Sequence, residues 1–144
     1  MIHIDRFRAA DLLAIDVQDA QADSLALFSD PAYGAAIERG PYAFTARAGN
    51  VLLGCGGLVV EWPGRGVCWA IVSRHAGPYF REIHRAVSGF LTQAPVRRIE
   101  IAVKAEFAAG HRWARMLGMQ HEGRMRAYSP SGDDYDLYAR IRYD

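Results

Sequence analysis

The sequence predicts an α/β (α+β) fold in which one mixed, mostly antiparallel sheet of about seven strands carries helices on both of its faces. Three observations lead to this prediction. Several short segments alternate apolar and polar residues, which is the period of a half-buried strand. Tight turns join some of these segments directly, whereas segments of helical period separate the others. The resulting order is β-α-α-β-β-β-α-β-α-β-β, without a linker or an internal repeat, so residues 1–144 are expected to form a single domain.

One strand and two helices are predicted at the N-terminus. Residues 1–7 alternate apolar Ile and Phe with polar residues and therefore predict a short strand. Residues 9–21 place Leu, Ile and Val partly at helical spacing and predict a helix. A second helix is predicted within residues 29–40, because Asp30 can cap its start and Gly40 can end it.

A three-stranded antiparallel meander is predicted next. Its strands are joined by a tight turn at Gly49 and Asn50 and by the Pro-Gly-Arg-Gly turn of residues 63–66. The predicted strands cover residues 42–47, 51–62 and 67–73. A strand rather than a helix follows the Gly-Cys-Gly-Gly run at residues 54–57, so this run is not a phosphate loop. It indicates a bulge or a close contact between strands.

A helix, a strand, a further helix and a terminal hairpin complete the prediction. Apolar residues between Phe80 and Leu91 fall on one helical face, and Pro95 ends the helical region. The alternating strand at residues 97–103 follows at a length that suits a parallel crossover. The last helix is predicted to end at Gly118. The final strands are predicted within residues 119–128 and 133–143, around a Ser-Pro-Ser-Gly turn.

Composition and charge restrict the class of protein. Apolar residues make up 51% of the chain and charged residues 23%, which is typical of a soluble domain. A net charge of +1 lacks the basic excess of proteins that bind nucleic acid through its phosphates. No apolar segment approaches the roughly 20 residues needed to cross a bilayer. We therefore expect a cytoplasmic protein with no nucleic-acid and no membrane partner.

The cysteines and histidines do not form a pattern typical of metal sites or hydrolases. Cys55 and Cys68 lie in apolar strand segments without metal-ligand spacing, which indicates two buried thiols in a reducing compartment. No cluster of His and Cys has ligand spacing, and no Ser-His-Asp order is present. We therefore expect no metal ion.

The C-terminal half carries a family resemblance. The strand RRIEIAV is followed by a helix, by the motif LGMQHEG and by a terminal hairpin. Together with the order of the elements, these features resemble the GNAT superfamily of acyl-CoA-dependent N-acyltransferases over nearly the whole chain. The stretches WPGRGVCWAIVSRHAG and EFAAGHRWARMLG also look like a subgroup encoded by bacteriophages and prophages. The resemblance implies that acetyl-CoA is the cosubstrate and that an amine is the acceptor.

The loop RHAGPY stands where the superfamily has its phosphate-binding sequence Q/R-x-x-G-x-G/A. The resemblance implies that the diphosphate is held by Arg74, His75, Ala76, Gly77, Pro78 and Tyr79. A helix start leaves about four backbone N–H groups without intrahelical partners, and the helix dipole adds positive charge. Pro78 lacks an N–H, and the bulky Tyr79 replaces a small residue. The alternative is a helix N-terminus that binds nothing.

The resemblance also assigns the strand before this loop. In the superfamily, backbone groups of this strand hold the pantetheine arm and polarise the thioester carbonyl. The corresponding residues here are Ile71, Val72 and Ser73. Hydrogen-bond donors placed in this way stabilise negative charge as it develops on an oxygen atom.

Two residues are candidates for proton transfer. Glu61, at the end of the second meander strand, is the candidate general base, and Glu100 is the other carboxylate on a central strand. The superfamily's usual acid, a tyrosine, aligns with Ala114, so Tyr128 is the candidate that could supply a phenol. Structural alternatives remain for both candidates. Glu61 could be a surface carboxylate beside a turn, and Tyr128 could be an aromatic residue packed on the sheet.

These expectations lead to one function and two alternatives. The first is an acetyl-CoA-dependent N-acetyltransferase that moves an acetyl group onto a primary amine of a small molecule or a protein by direct attack. The first alternative is an inactive phage protein of the same shape, located in the virion with other virion components or serving as an interaction module. The second alternative binds acyl-CoA without turnover. Dimers are common in the superfamily, so a homodimer is a further expectation.

Overall fold

A computed structural model describes residues 1–28 and 30–143. Within these residues the strands are β1 (His3–Arg6), β2 (Ala43–Ala48), β3 (Val51–Trp62), β4 (Arg65–Val72), β5 (Arg98–Lys104), β6 (Gln120–Met125) and β7 (Tyr135–Ile141). The helices are α1 (Asp11–Ala14), α2 (Ala22–Phe28), α3 (Pro31–Arg39), α4 (Phe80–Gln93) and α5 (Ala108–Met116). Short 3-10 turns lie at Asp19–Gln21 and Gly77–Tyr79. None of the helices in this part of the chain has the length and apolar character that a membrane span requires.

The seven strands form one sheet in the order β1-β2-β3-β4-β5-β7-β6. β4 and β5 are parallel, and α4 lies between them in the chain. The pairs β1–β2, β2–β3, β5–β7 and β6–β7 are antiparallel. These pairings confirm the predicted mixed, mostly antiparallel sheet and its one parallel crossover.

The chain divides into two compact units. The first unit comprises Met1–Val59 and Ala70–Gln93, and the second comprises Val60–Trp69 and Ala94–Asp144. β1, β2 and α1 to α4 therefore belong to the first unit, and α5 and β5 to β7 belong to the second. β3 and β4 each contribute residues to both.

The core of the first unit combines apolar residues with one satisfied carboxylate. Its largest fully buried apolar side chains are Phe7, Leu53, Ile71 and Leu91. Asp11 is also buried, and its carboxylate accepts a hydrogen bond from Thr45 Oγ1 at 2.7 Å. Arg47 Nη2 lies 2.7 Å from the other carboxylate oxygen. The buried charge therefore has both a hydrogen bond and an ion pair, as a charge removed from water requires.

The close strand contact predicted for the glycine run is confirmed at Gly57. This residue pairs with Ala43 of β2. A Cβ added to Gly57 would lie 2.9 Å from the Ala43 Cα. It would also be far closer to the Tyr42 carbonyl oxygen than van der Waals contact allows. Only a residue without a side chain allows β2 and β3 to approach this closely.

The predicted helix at residues 9–21 is wrong in its length. α1 is one turn long, and the backbone is extended at Ile15, with φ −76° and ψ 133°. Val17 then forms an antiparallel bridge with Ser73. Pairing with residues distant in sequence therefore replaces the helical hydrogen bonds that the local pattern favours. The prediction also missed α2.

The predicted helix within residues 29–40 is confirmed as α3. The Asp30 carboxylate accepts hydrogen bonds from the N–H groups of Ala32 and Tyr33, at 3.0 and 3.2 Å. Gly40 follows the last helical residue, as predicted. Ser29, at the start of the predicted segment, lies outside the described residues.

In the second unit, α5 and the C-terminal hairpin adjoin β5. β5 and β7 pair along their whole lengths. A Cβ added to Gly110 would lie 2.8 Å from Val103 Cγ1 and 2.6 Å from Phe107 Cδ2, so α5 approaches β5 closely. Gly118 follows α5 with a φ of 80°, which confirms the predicted helix stop.

The terminal hairpin has a longer loop than predicted. β6 ends at Met125, so Tyr128 lies in the loop and not on the predicted strand. Ala127 has a φ of 48°, and its N–H donates to Asp134 Oδ1 at 2.9 Å. Tyr128 N–H donates to the Asp133 carbonyl at 2.9 Å. These local bonds end the pairing of β6 with β7 at Met125, before the predicted end of the strand at Tyr128.

Candidate functional site

The end of β4 directs its backbone groups to two sides. On one side, Ser73 N–H donates to the carbonyl of Leu53 in β3 at 2.8 Å. Backbone groups of successive strand residues point in opposite directions, so Ile71 faces the same side as Ser73. The Ile71 carbonyl would indeed lie 3.0 Å from a Cβ added to Gly54 of β3. Ile71 and Ser73 therefore direct backbone groups toward β3, and their contacts with the pantetheine arm stay predictions.

The other edge of β4 is bound by a glutamine side chain. Among the described residues, β4 pairs with β5 at Arg65–Val67, so later residues of this edge need other partners. Gln21 Nε2 donates to the Ala70 carbonyl at 2.7 Å, and Val72 N–H donates to Gln21 Oε1 at 2.8 Å. The backbone N–H of Gln18 donates to the Val72 carbonyl at 3.2 Å, and its side-chain Nε2 donates to Gln21 Oε1 at 2.9 Å. One carboxamide thus makes the two bonds that a neighbouring peptide group would make.

Most backbone N–H groups of the predicted phosphate loop already have acceptors within the protein. The bound amides are those of Arg74 (to the Asp16 carbonyl, 2.9 Å), His75 (to Ser73 Oγ, 3.0 Å), Ala76 (to the Ser73 carbonyl, 3.1 Å) and Tyr79 (to the Ala76 carbonyl, 2.9 Å). The 3-10 turn before α4 accounts for the Tyr79 bond, because it begins the helical bonding earlier, whereas the Arg74 bond is made to a distant segment. The loop does not present the several free amides expected of a helix start, and its binding of a diphosphate stays a prediction.

Gly77 is the accessible part of this loop. Pro78 has no N–H, and within residues 1–28 and 30–143 the Gly77 N–H donates to no acceptor. Gly77 is exposed, and an added Cβ would meet no atom within 4 Å. Its φ lies outside the left-handed region. Glycine therefore provides open space beside a free N–H, in a backbone conformation that other residues also adopt.

The exposed side chains of Arg74 and His75 are paired with carboxylates. Arg74 Nε lies 2.9 Å from Asp16 Oδ1, and its Nη2 lies 3.1 Å from Asp19 Oδ1. His75 Nε2 lies 2.7 Å from Asp16 Oδ2. The hydrogen bond with His75 lowers the pKa of Asp16, and the charge of Arg74 lowers that pKa further. The positive charge at the loop is therefore partly compensated, and Tyr79 beside it is half-buried.

The two candidates for proton transfer are both accessible. Glu61 is exposed near the end of β3, where its negative charge raises the pKa of Arg65 by a minor amount beside the larger effect of Glu100. Tyr128 is 55% exposed, and its ring lies 5.2 Å from the ring of Tyr135. No hydrogen bond or ion pair among the described residues joins Glu61 to Tyr128. Their catalytic roles stay predictions.

Glu100 is bound in an ion network and is not available as a base. Its carboxylate accepts two hydrogen bonds from Arg65, at 2.7 and 2.8 Å, and one from Arg98 at 2.7 Å. Arg65 in turn lies 4.4 Å from the centre of the Trp62 ring. The hydrogen bonds from Arg65, and then those from Arg98, lower the pKa of Glu100 to about 2. A carboxylate held in this state accepts protons poorly at neutral pH.

The thiols are unreactive at neutral pH. Burial raises the pKa of Cys55 to about 11 and the pKa of Cys68 to about 12. Both thiols are free, Cys55 is buried and Cys68 is half-buried. A nucleophilic role requires the thiolate, so neither cysteine is a candidate for covalent catalysis.

Sequence reasoning missed the residues that contact β4 and the loop. Asp16, Gln18 and Gln21 lie within the segment predicted as a regular helix. Their partners are about 50 to 60 positions further along the chain, and no local pattern indicates such a contact. The Asp-Val-Gln-Asp run was the available signal, since it interrupts the apolar spacing.

Comparisons with solved structures identify the fold. An acetyltransferase of the GNAT family from Bacillus cereus has a TM-score of 0.71 and 14% identity, over 100% of this chain and 99% of that one. The ribosomal-protein-S18-alanine N-acetyltransferase from Escherichia coli has a TM-score of 0.71 and 18% identity, over 98% and 94%. The yncA protein from Salmonella typhimurium, solved with its cofactor acetyl-CoA, has a TM-score of 0.66 and 12% identity, over 97% and 93%.

The likeness lies in structure and not in sequence. No family model matches the chain, and no curated protein matches it. The structural matches span nearly the whole of both chains at identities far below those that indicate shared substrates. The chain therefore has the fold of the GNAT-family N-acetyltransferases.

Proposed function

We propose that this protein is an acetyl-CoA-dependent N-acetyltransferase, formed by residues 1–144 as one functional domain. The observation that carries the proposal is the edge of β4 opposite β3. There the Ala70 carbonyl and the Val72 N–H are bound by the Gln21 side chain and not by a strand. A chain with this fold and such an edge can bind an extended ligand that contains amide groups, as β-strand addition does. Acetyl-CoA supplies an activated acetyl thioester when it is bound.

Each part of the site suits a different part of that cosubstrate. Val72 and Ala70 offer one donor and one acceptor in strand geometry to the amides of the pantetheine arm. Gly77 offers an N–H with open space beside it, where a phosphate oxygen can approach. Arg74 supplies a positive charge and His75 a ring nitrogen, and Asp16 contacts both in this structure. The chain's residues therefore fit acetyl-CoA. Its binding requires that the Asp16 and Gln21 side chains move away from the groups that they contact.

The acceptor is proposed to be a primary amine of a small molecule or a protein. A lysine-like amine has a pKa of about 10.4, so its deprotonation at pH 7 costs roughly 4–5 kcal/mol. We assign the base to Glu61, because it is an exposed carboxylate at the end of a strand of the sheet. Tyr128 is assigned as the acid, because its phenol is exposed on a loop.

Direct binding and turnover test this proposal. We expect acetyl-CoA to raise the melting temperature and to bind with a measurable Kd in isothermal titration calorimetry, since a ligand of the native state stabilises it. Incubation with a panel of small amines and peptides should release CoA thiol, detected with a thiol reagent. Mass spectrometry should find a mass increase of one acetyl group on the acceptor. Absence of binding at millimolar acetyl-CoA would contradict the proposal.

Gly77→Leu is expected to weaken CoA binding about tenfold without lowering the melting temperature. The leucine side chain would enter the open space beside the free N–H, and its Cβ would meet no other atom within 4 Å. Gly89→Leu is the matched control, because Gly89 is also exposed and also has no atom within 4 Å of an added Cβ. Calorimetric titration with CoA measures the difference. Equal Kd values for the two variants would remove Gly77 from the site.

One observation favours a second candidate function. The bound amides of the loop and the compensated charge of Arg74 are features of a loop that holds no phosphate. A protein of this kind would be a non-catalytic module, and a role in phage assembly is the form that the subgroup resemblance suggests. The binding test above separates this candidate from the transferase.

A further inference from the structure

We propose that residues 16–21, here called the strap, act as an intramolecular competitor of the cosubstrate. This inference rests on the proposed function, because it concerns the regulation of the same site. The strap would keep the site closed in the free protein. Binding of CoA then requires that the strap leave β4 and the loop.

The first contact of the strap imitates a peptide group. The Gln21 carboxamide donates to the Ala70 carbonyl at 2.7 Å and accepts from the Val72 N–H at 2.8 Å. A secondary amide of an extended ligand would use the same acceptor and the same donor. The side chain and such a ligand cannot occupy this edge together, so their binding is mutually exclusive.

The second contact of the strap places carboxylates where a diphosphate would need cations. Asp16 uses both of its oxygen atoms, one toward Arg74 at 2.9 Å and one toward His75 at 2.7 Å. Asp19 adds a second carboxylate 3.1 Å from Arg74. A carboxylate oxygen and a phosphate oxygen accept hydrogen bonds from the same N–H groups of a guanidinium. The strap therefore covers both the peptide-binding edge and the cationic positions.

The strap is anchored at its start and is held over the site by exposed ion pairs and by a small number of hydrogen bonds. Ile15, just before it, is buried, which fixes the point of attachment. Beyond that point the side chains of Asp16 and Asp19 are 55% and 95% exposed. Ion pairs at such exposure contribute little to stability, because water competes for both partners. The backbone pairs with β4 through the isolated bridge between Val17 and Ser73. These contacts suit a segment that can be displaced without unfolding the first unit.

The test compares Gln21→Ala with Gln93→Ala, a matched control at the exposed end of α4. Calorimetry with CoA should give a Kd about tenfold lower for Gln21→Ala than for the wild type and the control, because two hydrogen bonds no longer oppose binding. Hydrogen exchange of the Val72 amide should be faster in Gln21→Ala without ligand, and protection should return when CoA is added. Melting temperatures confirm that both variants are folded.

A second variant separates the two contacts. Asp16→Asn removes one of the two carboxylates of the strap while keeping the size of the side chain. We expect it to lower the Kd for CoA but not for pantetheine, which lacks the diphosphate, whereas Gln21→Ala should lower the Kd for both. An unchanged or raised Kd for CoA in Gln21→Ala would overturn the strap as competitor. Failure of the wild type and both variants to bind CoA would overturn the proposed function, and the strap inference with it.

Discussion

Glu100→Gln is expected to lower the free energy of unfolding by about 3 kcal/mol at pH 7. Glu100 is a buried carboxylate that binds Arg65 through both oxygen atoms and also accepts a hydrogen bond from Arg98. An uncharged amide would leave both guanidinium groups without that charge, and its own N–H₂ group would face donors. The two arginine side chains are only 25% and 30% exposed, so water replaces the lost partner incompletely.

The pH dependence of stability provides the diagnostic readout. The pKa of Glu100 is about 2 in the folded protein, below its ordinary value of 4.5. A carboxyl group whose pKa is lower in the folded state than in the unfolded state stabilises the protein at pH values above the unfolded-state pKa. This stabilisation is lost as the pH falls toward the folded-state pKa. We therefore expect the wild type to lose stability between about pH 4.5 and pH 2. Glu100→Gln should lose less in that interval.

Urea unfolding at a series of pH values measures both effects. Glu106→Gln is the matched control, because Glu106 is an exposed carboxylate in the turn after β5. An exposed substitution of this kind should change the unfolding free energy by less than about 0.5 kcal/mol. If Glu100→Gln behaved like Glu106→Gln at neutral pH, the ion network would not be the stabilising feature described above.

Gly57→Ala is expected to destabilise the protein by about 3 kcal/mol or more. The added methyl group would overlap the Tyr42 carbonyl oxygen and would lie 2.9 Å from the Ala43 Cα. Both are backbone atoms, so no side-chain rotation can relieve the overlap. β2 and β3 would have to separate, and the Leu58 N–H would lose its 2.8 Å bond to the Tyr42 carbonyl.

Gly123→Ala is the control for the same chemical change within a strand. Gly123 lies in β6, has no positive φ, and would give its Cβ no neighbour within 4 Å. Alanine there should be neutral or slightly stabilising, because glycine in a strand carries an entropic cost of about 0.5–1 kcal/mol. Thermal unfolding followed by circular dichroism measures both variants. Equal melting temperatures would show that β2 and β3 tolerate the added methyl group.

The sheet could be predicted from the sequence because local patterns determine it. Alternation along residues 51–62 and the glycine at position 49 define β3 and the turn before it, and the structure agrees at both ends of that strand. The crossover through α4 was predictable from helix length and from the alternation that follows. Failure occurred at residues 9–21, where the apolar spacing favours a helix but Val17 finds a partner in Ser73. Pairing across the fold outweighs helix propensity there.

The candidate site was predictable only in part. The order of the elements indicated β4 and the following loop, and the sequence identified Gly77 and Pro78 directly. A 3-10 turn and the distant residue Asp16 determine which backbone groups of the loop are already bound. The sequence of the loop indicates neither of them. The directions of the backbone groups of Ile71, Val72 and Ser73 could not be predicted either. They depend on strand register, and a shift of one residue reverses them.

The position of β7 has a consequence for synthesis of the chain. β7 leaves the ribosome after β5 and β6, yet it lies between them in the sheet. A nascent chain that has emerged only through β6 has no partner for that strand and leaves one edge of β5 uncovered. The second unit can therefore close only after translation has passed Ile141. Termination before β7 would release a chain with an exposed strand edge, which is a substrate for aggregation or for chaperones.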